Sequence, residues 1–381
     1  MTTATISESE RLNRLRLIRT RNVGAISWHR LLDRFGLATA ALDALPELLR
    51  RGGGDPAPIC SVADASRELD RAASLGLQAV CHGDAVYPDR LAAIEDAPPF
   101  LYVGGDTALL SRPAVAIVGA RNASTNGRAI ARELAQDLAR VTLAGTPLAI
   151  VSGLARGIDT AAHDGALAAD GATVAVMAGG ADIVYPRENS ALYERIAATG
   201  TVVSEMPPGL EPQARHFPRR NRIVSGLALG VVVVEAAARS GSLITARMAL
   251  EQGRDVFAVP GSPRDPRCRG TNGLLRAGAI LTENADDVAG ALAPMLRTLP
   301  IVARSPEKHA EIPEARDDSV SEATRRAILD CLSPTPVAVD EIVRQCQVTA
   351  SVVQMVLLEL ELAGRLERQP GNRVAALQTA S

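Results

Sequence analysis

The sequence is poor in aromatic residues and in lysine, and it has no long apolar run. Aromatic residues make up 2% of the 381 positions, so an aromatic side chain among basic residues is unusual in this chain. No stretch of about 18 apolar residues occurs, and the N-terminal residues lack the apolar core of a signal peptide. We therefore expect a cytoplasmic protein without a membrane segment.

Motifs for metal, triphosphate and dinucleotide binding are also missing. The five cysteines are scattered, without a C-x-x-C pair or a histidine at ligand spacing, which disfavours a zinc site and a disulfide framework. The P-loop motif is absent, and G-x-G-x-x-G does not follow the first apolar run of the central region. We predict no metal, no cofactor and no catalytic residue.

Charge is nearly balanced over the chain. The formal net charge is −2 and the isoelectric point is near 6.3, so a nucleic-acid site must be a local basic patch rather than a basic surface. Of the 41 basic residues, Lys308 is the only lysine. We attribute this bias to a GC-rich genome rather than to selection for guanidinium groups.

Periodicity and composition divide the chain into four parts. Residues 1–60 show helical spacing and predict a small module of the helix-hairpin-helix or SAM-like type, which either packs or offers backbone N–H groups to DNA. Residues 61–297 predict an α/β domain, with its core at 113–290. Residues 298–320 are charged and aperiodic, which predicts a flexible linker, and residues 321–381 predict three helices and two short strands, a winged helix.

Six short apolar runs alternate with helix-length segments in the α/β domain. Runs of this kind are typical of strands that are buried on both faces, and their β-then-α order predicts a doubly wound, mostly parallel sheet. In such sheets, ligands bind at the carboxyl ends of the strands. The predicted strands are Ala114–Gly119, Leu148–Gly153, Thr173–Gly180, Thr201–Glu205, Gly230–Ala236 and Asp255–Gly261.

The segment between Pro212 and Val224 holds basic residues, one aromatic residue and no acid. We interpret it as an arginine-rich loop, because guanidinium groups bind phosphates through a planar fork of donors and Phe217 offers a stacking face for a base. The alternative is a solvated basic loop in which Phe217 fills the core. The basic residues are Arg215, His216, Arg219, Arg220 and Arg222.

Glycine-containing turns follow three of the predicted strands and open helices. Backbone N–H groups at such helix starts form a good surface for anions, although tight turning and helix capping explain each turn better when it is taken alone. Together with two arginines, the three turns favour a groove lined with phosphate-binding groups. Its predicted members are Gly119, Arg121, Ser152, Gly153, Arg156, Ser240, Gly241 and Ser242.

Two other features carry less weight. Asp159 and His163 are four residues apart, the spacing of a metal or acid–base pair, but without a third partner we interpret His163 as a helix-surface or packing histidine. Tyr185 and Asn189 look like turn and cap residues with at most an indirect role in the groove.

Six motifs in sequence order resemble those of the DNA-processing protein A family, also called Smf. They are VAIVGARNASTNGRAIARELA, VSGLARGIDTAAHDGAL, VVSEMPPG, HFPRRNRIVSGL, SGSLITARMALEQGRDVFAVPG and GTNGLLRAGA. Outside this core, VGAISWHRLLDRFG resembles the N-terminal module of the family, and the C-terminal winged helix resembles the one that many members carry. The resemblance therefore spans nearly the whole chain.

The resemblance implies an extended Rossmann-like domain that binds single-stranded DNA, forms a homodimer and has no enzymatic activity. It further implies that the protein shields incoming strands during natural transformation and loads a RecA-type recombinase onto them. The basic pocket residue of the family falls on Arg121, and its aromatic and arginine element falls on Phe217, Arg220, Asn221 and Arg222. Many relatives have a lysine just before the Phe-Pro pair, where this chain has Arg215 and His216.

Two other functions remain as hypotheses. The same architecture resembles nucleotide-binding or nucleotide-cleaving enzymes of the lysine-decarboxylase-like group, but their P-G-G-x-G-T turn and following glutamate are replaced here by ARSGSLITAR. A transcription regulator would read duplex DNA with the third helix of the winged helix. That helix carries Glu359 and Glu361 and no base, which a duplex would repel.

Overall fold

A computed structural model describes residues 6–54, 58–298, 320–369 and 371–377, without the side chains of 295–298. The predicted linker at 298–320, apart from its two end residues, lies outside the described residues. The described residues form two compact units. One unit holds the residues up to Arg67 together with the C-terminal residues from 320 onward, and the other begins at Glu68.

The helices expected at both ends of the chain are confirmed, and further helices accompany them. Within the described ranges, no helix combines the length and apolarity needed to cross a bilayer. The α-helices are α1 (Glu8–Arg19), α2 (Ala25–Phe35), α3 (Ala38–Arg51), α4 (Val62–Ser74), α5 (Asp89–Ala92), α6 (Thr125–Arg140), α7 (Ile158–Ala168), α8 (Ser190–Thr199), α9 (His216–Leu227), α10 (Ser242–Glu251), α11 (Arg269–Arg276), α12 (Ala285–Thr298), α13 (Glu322–Asp330), α14 (Val339–Cys346) and α15 (Ala350–Leu362).

All six strands predicted for the α/β domain are present. They belong to a nine-stranded sheet of order β1-β2-β8-β7-β6-β3-β9-β10-β11, which is parallel from β8 to β11 and has β1 and β2 as antiparallel strands at one edge. Five further strands lie outside this sheet, since β4 pairs with β5, and β12, β14 and β13 form a sheet of their own. The strands of the described residues are β1 (Gln78–Cys81), β2 (Phe100–Gly105), β3 (Ala114–Val118), β4 (Thr142–Leu143), β5 (Thr146–Pro147), β6 (Ala149–Ser152), β7 (Thr173–Val176), β8 (Thr201–Ser204), β9 (Gly230–Val233), β10 (Asp255–Ala258), β11 (Ile280–Leu281), β12 (Val337–Ala338), β13 (Leu366–Gln369) and β14 (Arg373–Ala376).

Helices cover both faces of the central strands, which explains why these strands are apolar throughout. Along β3, Ala116 and Val118 pack into the core on one face of the sheet, while Val115 and Ile117 pack into the core on the other. Strands β6, β7 and β8 extend the sheet from one side of β3, and β9 and β10 extend it from the other. The strand order therefore reverses beside β3, where ligands of doubly wound sheets bind.

The N-terminal module and the winged helix share one core. Helix α15 is apolar on all sides, as expected for a helix that is buried all round. Val353 and Leu357 face the core of the winged helix, whereas Leu358 and Leu362 pack with Trp28 and other residues of α1 to α3. The third helix of the winged helix is thus covered by the N-terminal module.

The glycine tract before Pro58 is part of this interface. Gly52 and Gly54 lie so close to the C-terminal end of α15 that a Cβ on either would overlap the backbone of Glu359 or Ala363. The Asn22 side chain also donates to the carbonyl oxygen of Leu362, 2.9 Å away. Glycine is required here because two backbones approach each other closely.

The acidic residues of α15 are not displayed to a ligand. Glu359 is 1% exposed and forms an ion pair of 2.6 Å with Arg325. Glu361 pairs with Arg368 of β13 at 2.9 Å. From the sequence we expected acidic residues on α15 to repel duplex DNA. The structure gives a stronger reason against duplex binding by α15, since this helix is covered by the N-terminal module.

Candidate nucleic-acid interface

A cleft opens at the carboxyl ends of β3, β6 and β7. It has a volume of about 280 Å³, near the lower limit of the roughly 300–1,000 Å³ that is usual for ligand sites. Its lining contains two arginines and two aromatic residues but no acidic side chain. The lining residues are Arg121, Asn122, Gly153, Ala155, Arg156, Met177, Ala178, Gly179, Ile183, Tyr185, Pro186 and Phe217.

Arg121 and Phe217 are stacked at this cleft. The guanidinium carbon of Arg121 lies 4.8 Å from the centroid of the Phe217 ring, which is within the range of a cation–π contact. The Tyr185 ring meets Phe217 edge-on, with the centroids 5.8 Å apart and the planes at 61°. Arg121 is exposed and Phe217 is half-buried, so both side chains can reach a ligand.

The segment predicted as an arginine-rich loop is mostly helix α9. His216, Arg220, Ile223 and Leu227 are three or four residues apart and lie on its buried face, while Arg215 and Arg219 are exposed. The sequence already shows this helical period, which continues to Ile223 and Leu227. Asn221 is half-buried on the same helix.

Arg220 lies beneath the cleft rather than in it. Its guanidinium packs directly on Gly153, where a Cβ would overlap it, and lies 3.9 Å from the carboxylate of Asp159. Burial lowers the pKa of Arg220, and the nearby Arg121 lowers it further, against the opposing effect of Asp159. Arg220 therefore holds a buried positive charge just below the floor of the cleft.

Arg222 is also buried and paired. Its guanidinium bonds to the carboxylate of Glu205 and to the carbonyl oxygen of Asp96, and the same Glu205 lies 3.4 Å from the exposed Arg219. His216 accepts a hydrogen bond at Nδ1 from the Gln213 N–H, 3.2 Å away. Its pKa is lowered, first by burial and then by the neighbouring Arg215 and Arg219.

The N–H groups of two glycine-containing turns are bonded to the protein's own carboxylates. Asp159 accepts from the backbone N–H groups of Gly153 and Ala155, at 3.1 and 3.4 Å. Glu235 follows β9 and accepts from the backbone N–H of Ser124 at 2.9 Å and from its hydroxyl at 2.5 Å. The expectation that these turns offer free donors to a phosphate is therefore wrong for these groups.

The remaining predicted residues lie in different places. Gly119 packs closely on Ile158, and the Ser152 hydroxyl donates to the carbonyl oxygen of Ile117 at 2.6 Å. Arg156 lines the cleft and pairs with Glu188 at 2.5 Å. In the third turn, the hydroxyls of Ser240 and Ser242 bond to each other at 2.7 Å, and neither these serines nor Gly241 line the cleft.

His163 is a packing histidine, not a surface one. It is buried, and its Nδ1 lies 2.7 Å from the hydroxyl of Thr173, which itself donates to the Ile150 carbonyl. Nδ1 must therefore carry the proton. Burial lowers the pKa of His163 to about 3, with a smaller contribution from Arg220. Within the described part of the chain, no group of three or more His, Cys, Asp or Glu residues is placed to hold a metal ion.

Sequence reasoning missed three residues of this region. Asp159 lies in the first turn of α7 after a glycine, which is the sequence context of a carboxylate at a helix N-terminus. Glu235 follows an apolar strand, and its contact with Ser124, 111 positions earlier, had no signal in the sequence. The sequence pattern favours a turn role for Tyr185, although it is one of few aromatic residues in the chain. Its approach to Phe217 had no signal in the sequence, since 32 positions separate the two.

The fold and the cleft define a class of protein, namely Rossmann-like proteins whose cleft carries arginine and aromatic side chains instead of a nucleotide-binding glycine loop. Three family models match the chain in order. They describe a DprA-like N-terminal HHH domain at residues 8–71, DNA recombination-mediator protein A at 78–293 and a DprA winged helix domain at 312–372. The chain belongs to the DNA-processing protein A (DprA/Smf) family.

Individual relatives agree with this assignment. Protein Smf of Escherichia coli K12 is 40% identical over 290 residues, which are 76% of this chain and 74% of that protein. The DNA processing protein DprA of Bacillus subtilis 168 is 44% identical over 214 residues, 56% of this chain and 70% of that protein. The X-ray structure of DprA from Streptococcus pneumoniae superposes with a TM-score of 0.60 at 35% identity, covering 75% of this chain and 98% of that one.

Proposed function

We propose that this protein binds single-stranded DNA in the cleft at the carboxyl ends of β3, β6 and β7. The observation that carries the proposal is the stack of Arg121 on Phe217 in a cleft without acidic lining. An arginine fork binds phosphate oxygens, and both an aromatic ring and a guanidinium plane stack on unpaired bases. Family membership supports a role for this site in DNA recombination.

The size of the cleft favours a single strand over a duplex. A cleft of about 280 Å³ admits unpaired bases, whereas the bases of a duplex are stacked and paired and cannot enter. Stacking on aromatic side chains is tolerant of sequence because every base has a π-face. We therefore expect binding without strong sequence preference.

The surface arginines set the expected salt dependence. Arg121, Arg156, Arg215 and Arg219 are exposed, and each neutralised phosphate of a single strand contributes roughly 0.7 to the slope of log affinity against log salt. Four contacts give a slope of about −3. Arg220 and Arg222 act differently in this proposal, because they are buried and paired and hold the cleft floor and α9 in position.

The site gives no support to a nucleotide-cleaving enzyme. At the reversal of strand order beside β3, where a nucleotide phosphate would bind a helix N-terminus, the Glu235 carboxylate already bonds to Ser124 at the start of α6. A phosphate there would meet a negative charge.

We infer that the protein is a non-enzymatic recombination mediator of the cytoplasm. In this proposal it shields incoming strands in natural transformation, forms a homodimer through the Rossmann-like domain and loads a RecA-type recombinase.

The test compares a labelled single strand with a blunt duplex of equal length by fluorescence anisotropy over a salt series, with and without a RecA-type recombinase. We expect far tighter binding of the single strand, and faster assembly of recombinase on strands that carry the protein. Equal affinity for the duplex would contradict the proposed site. A stimulation that needs no DNA binding would contradict the mediator role.

A further inference from the structure

Tyr185 is unusually exposed for an aromatic residue of this protein. Five aromatic residues are fully buried, namely Trp28, Tyr87, Phe100, Tyr102 and Phe257. Tyr193 is half-buried, and its hydroxyl donates to the Ala181 carbonyl at 2.8 Å. Tyr185, in contrast, is 49% exposed and lines the cleft. Tyrosine is enriched at binding surfaces, because its ring offers a large apolar face while its hydroxyl stays in water.

We propose that Tyr185 is a second base-stacking residue, which binds the base next to the one at Phe217. This inference rests on the proposed function and deepens it, because a cleft with two stacking residues binds a strand only where two consecutive bases are unpaired. Exposed aromatic rings stack on bases of any sequence, and the lining of the cleft carries no acid that would repel the backbone between two such bases.

The geometry of the two rings assigns them to different bases. A base held between two rings requires the rings to be parallel and far enough apart to admit its full thickness. The planes of Tyr185 and Phe217 meet at 61° with their centroids 5.8 Å apart, so no base fits between them. In this proposal each ring therefore stacks on a base of its own, and the edge-on contact sets the angle between the two rings.

The experiment measures binding of two fluorescein-labelled probes, a dT 20-mer and an abasic backbone of equal length. The variants are Tyr185→Ala, Tyr185→Leu, which keeps the bulk without the π-face, and Tyr185→Phe. Leu250→Ala is the matched control, since Leu250 is an exposed side chain of α10. Thermal unfolding of each variant checks that the fold is unchanged.

We expect the Ala and Leu variants to bind the dT probe about 5- to 150-fold more weakly than wild type, the range of one lost stacking contact. Tyr185→Phe and the control should bind within about twofold of wild type, and all proteins should bind the abasic probe equally. An unchanged affinity of Tyr185→Ala and Tyr185→Leu for dT would overturn the inference, and so would an equal loss on both probes. If wild type fails to prefer the single strand over the duplex in the test of the proposed function, that function fails instead.

Discussion

The stack of Arg121 on Phe217 makes a quantitative prediction about coupling between the two residues. The change is the set Arg121→Ala, Phe217→Ala and the double variant, with Arg121→Lys as a matched variant that keeps the charge but loses the planar fork. We expect that Phe217 both stacks on a base and holds the guanidinium of Arg121 flat. Each side chain should then contribute less to binding when the other is absent.

The magnitudes follow from the contacts. Loss of base stacking at Phe217 should cost about 1–3 kcal/mol of binding free energy, and loss of the charged hydrogen bonds of Arg121 about 1.5–3 kcal/mol. The guanidinium lies 4.8 Å from the ring centroid at a partly exposed site, where a cation–π contact is worth about 0.5–1 kcal/mol. The double variant should therefore lose about 0.5–1 kcal/mol less than the sum of the two single variants.

The assay is fluorescence anisotropy with a labelled single strand at several salt concentrations, which gives both the affinity and the salt slope. Phe217→Ala should weaken binding without changing the slope, because it removes no charge. Arg121→Ala should make the slope shallower by about 0.7. Arg121→Lys should keep the slope and lose part of the affinity, because an ammonium group lacks the planar surface.

Two outcomes would refute this reasoning. Strict additivity of the two single changes would mean that the stack does not organise the site. A Phe217→Ala protein that unfolds at lower temperature, yet binds DNA normally when folded, would mean that Phe217 only fills the core.

Three further predictions concern the stability of the two compact units. Arg220→Ala should lower the free energy of unfolding in urea by about 3–5 kcal/mol, since it leaves the buried carboxylate of Asp159 without its cation. Arg220→Met combined with Asp159→Asn should recover part of the loss. An unchanged urea midpoint of Arg220→Ala would contradict the burial of this pair. Burial lowers the pKa of His163 in the folded protein to about 3, from an ordinary value near 6.5. Its stabilising effect is therefore complete above pH 6.5 and is lost as pH falls from there, by at most about 1.4 kcal/mol per pH unit. His163→Gln should lose less stability over the same pH interval, and identical pH profiles of the two proteins would refute the assignment. Leu358 lies in the shared core of α15 and the N-terminal module, so Leu358→Ala should lower the free energy of unfolding of the full chain by about 2–5 kcal/mol. Leu250→Ala, a change at an exposed side chain, should alter it by no more than about 0.5 kcal/mol. Equal effects of the two variants would mean that the module does not hold α15.

Much of the fold followed from pattern alone. The apolar runs at β3 and β9 predicted strands buried on both faces, because a short, uninterrupted apolar run bounded by turns suits a parallel sheet covered by helices. The helices on either side of Asn22–Gly24 could also be predicted, from the spacing of their apolar residues. The antiparallel strands β1 and β2 at the sheet edge were not, since short strands at an edge lack a strong period.

Arg121 and Phe217 were found by residue type and by family resemblance, and both line the cleft. The chain by itself thus determined which segments form strands and helices, and which residues carry charge and stacking surface. Only the tertiary structure decided which arginines meet solvent, because Arg219 and Arg220 are neighbours in sequence, yet Arg219 is exposed and Arg220 is buried. It also decided that Glu235 and Asp159 bond to the helix-start N–H groups expected to meet a phosphate, and that α15 is covered by a module more than 300 residues earlier in the chain. Such pairings depend on the distance between groups in space, which sequence spacing fixes only within one helix or strand.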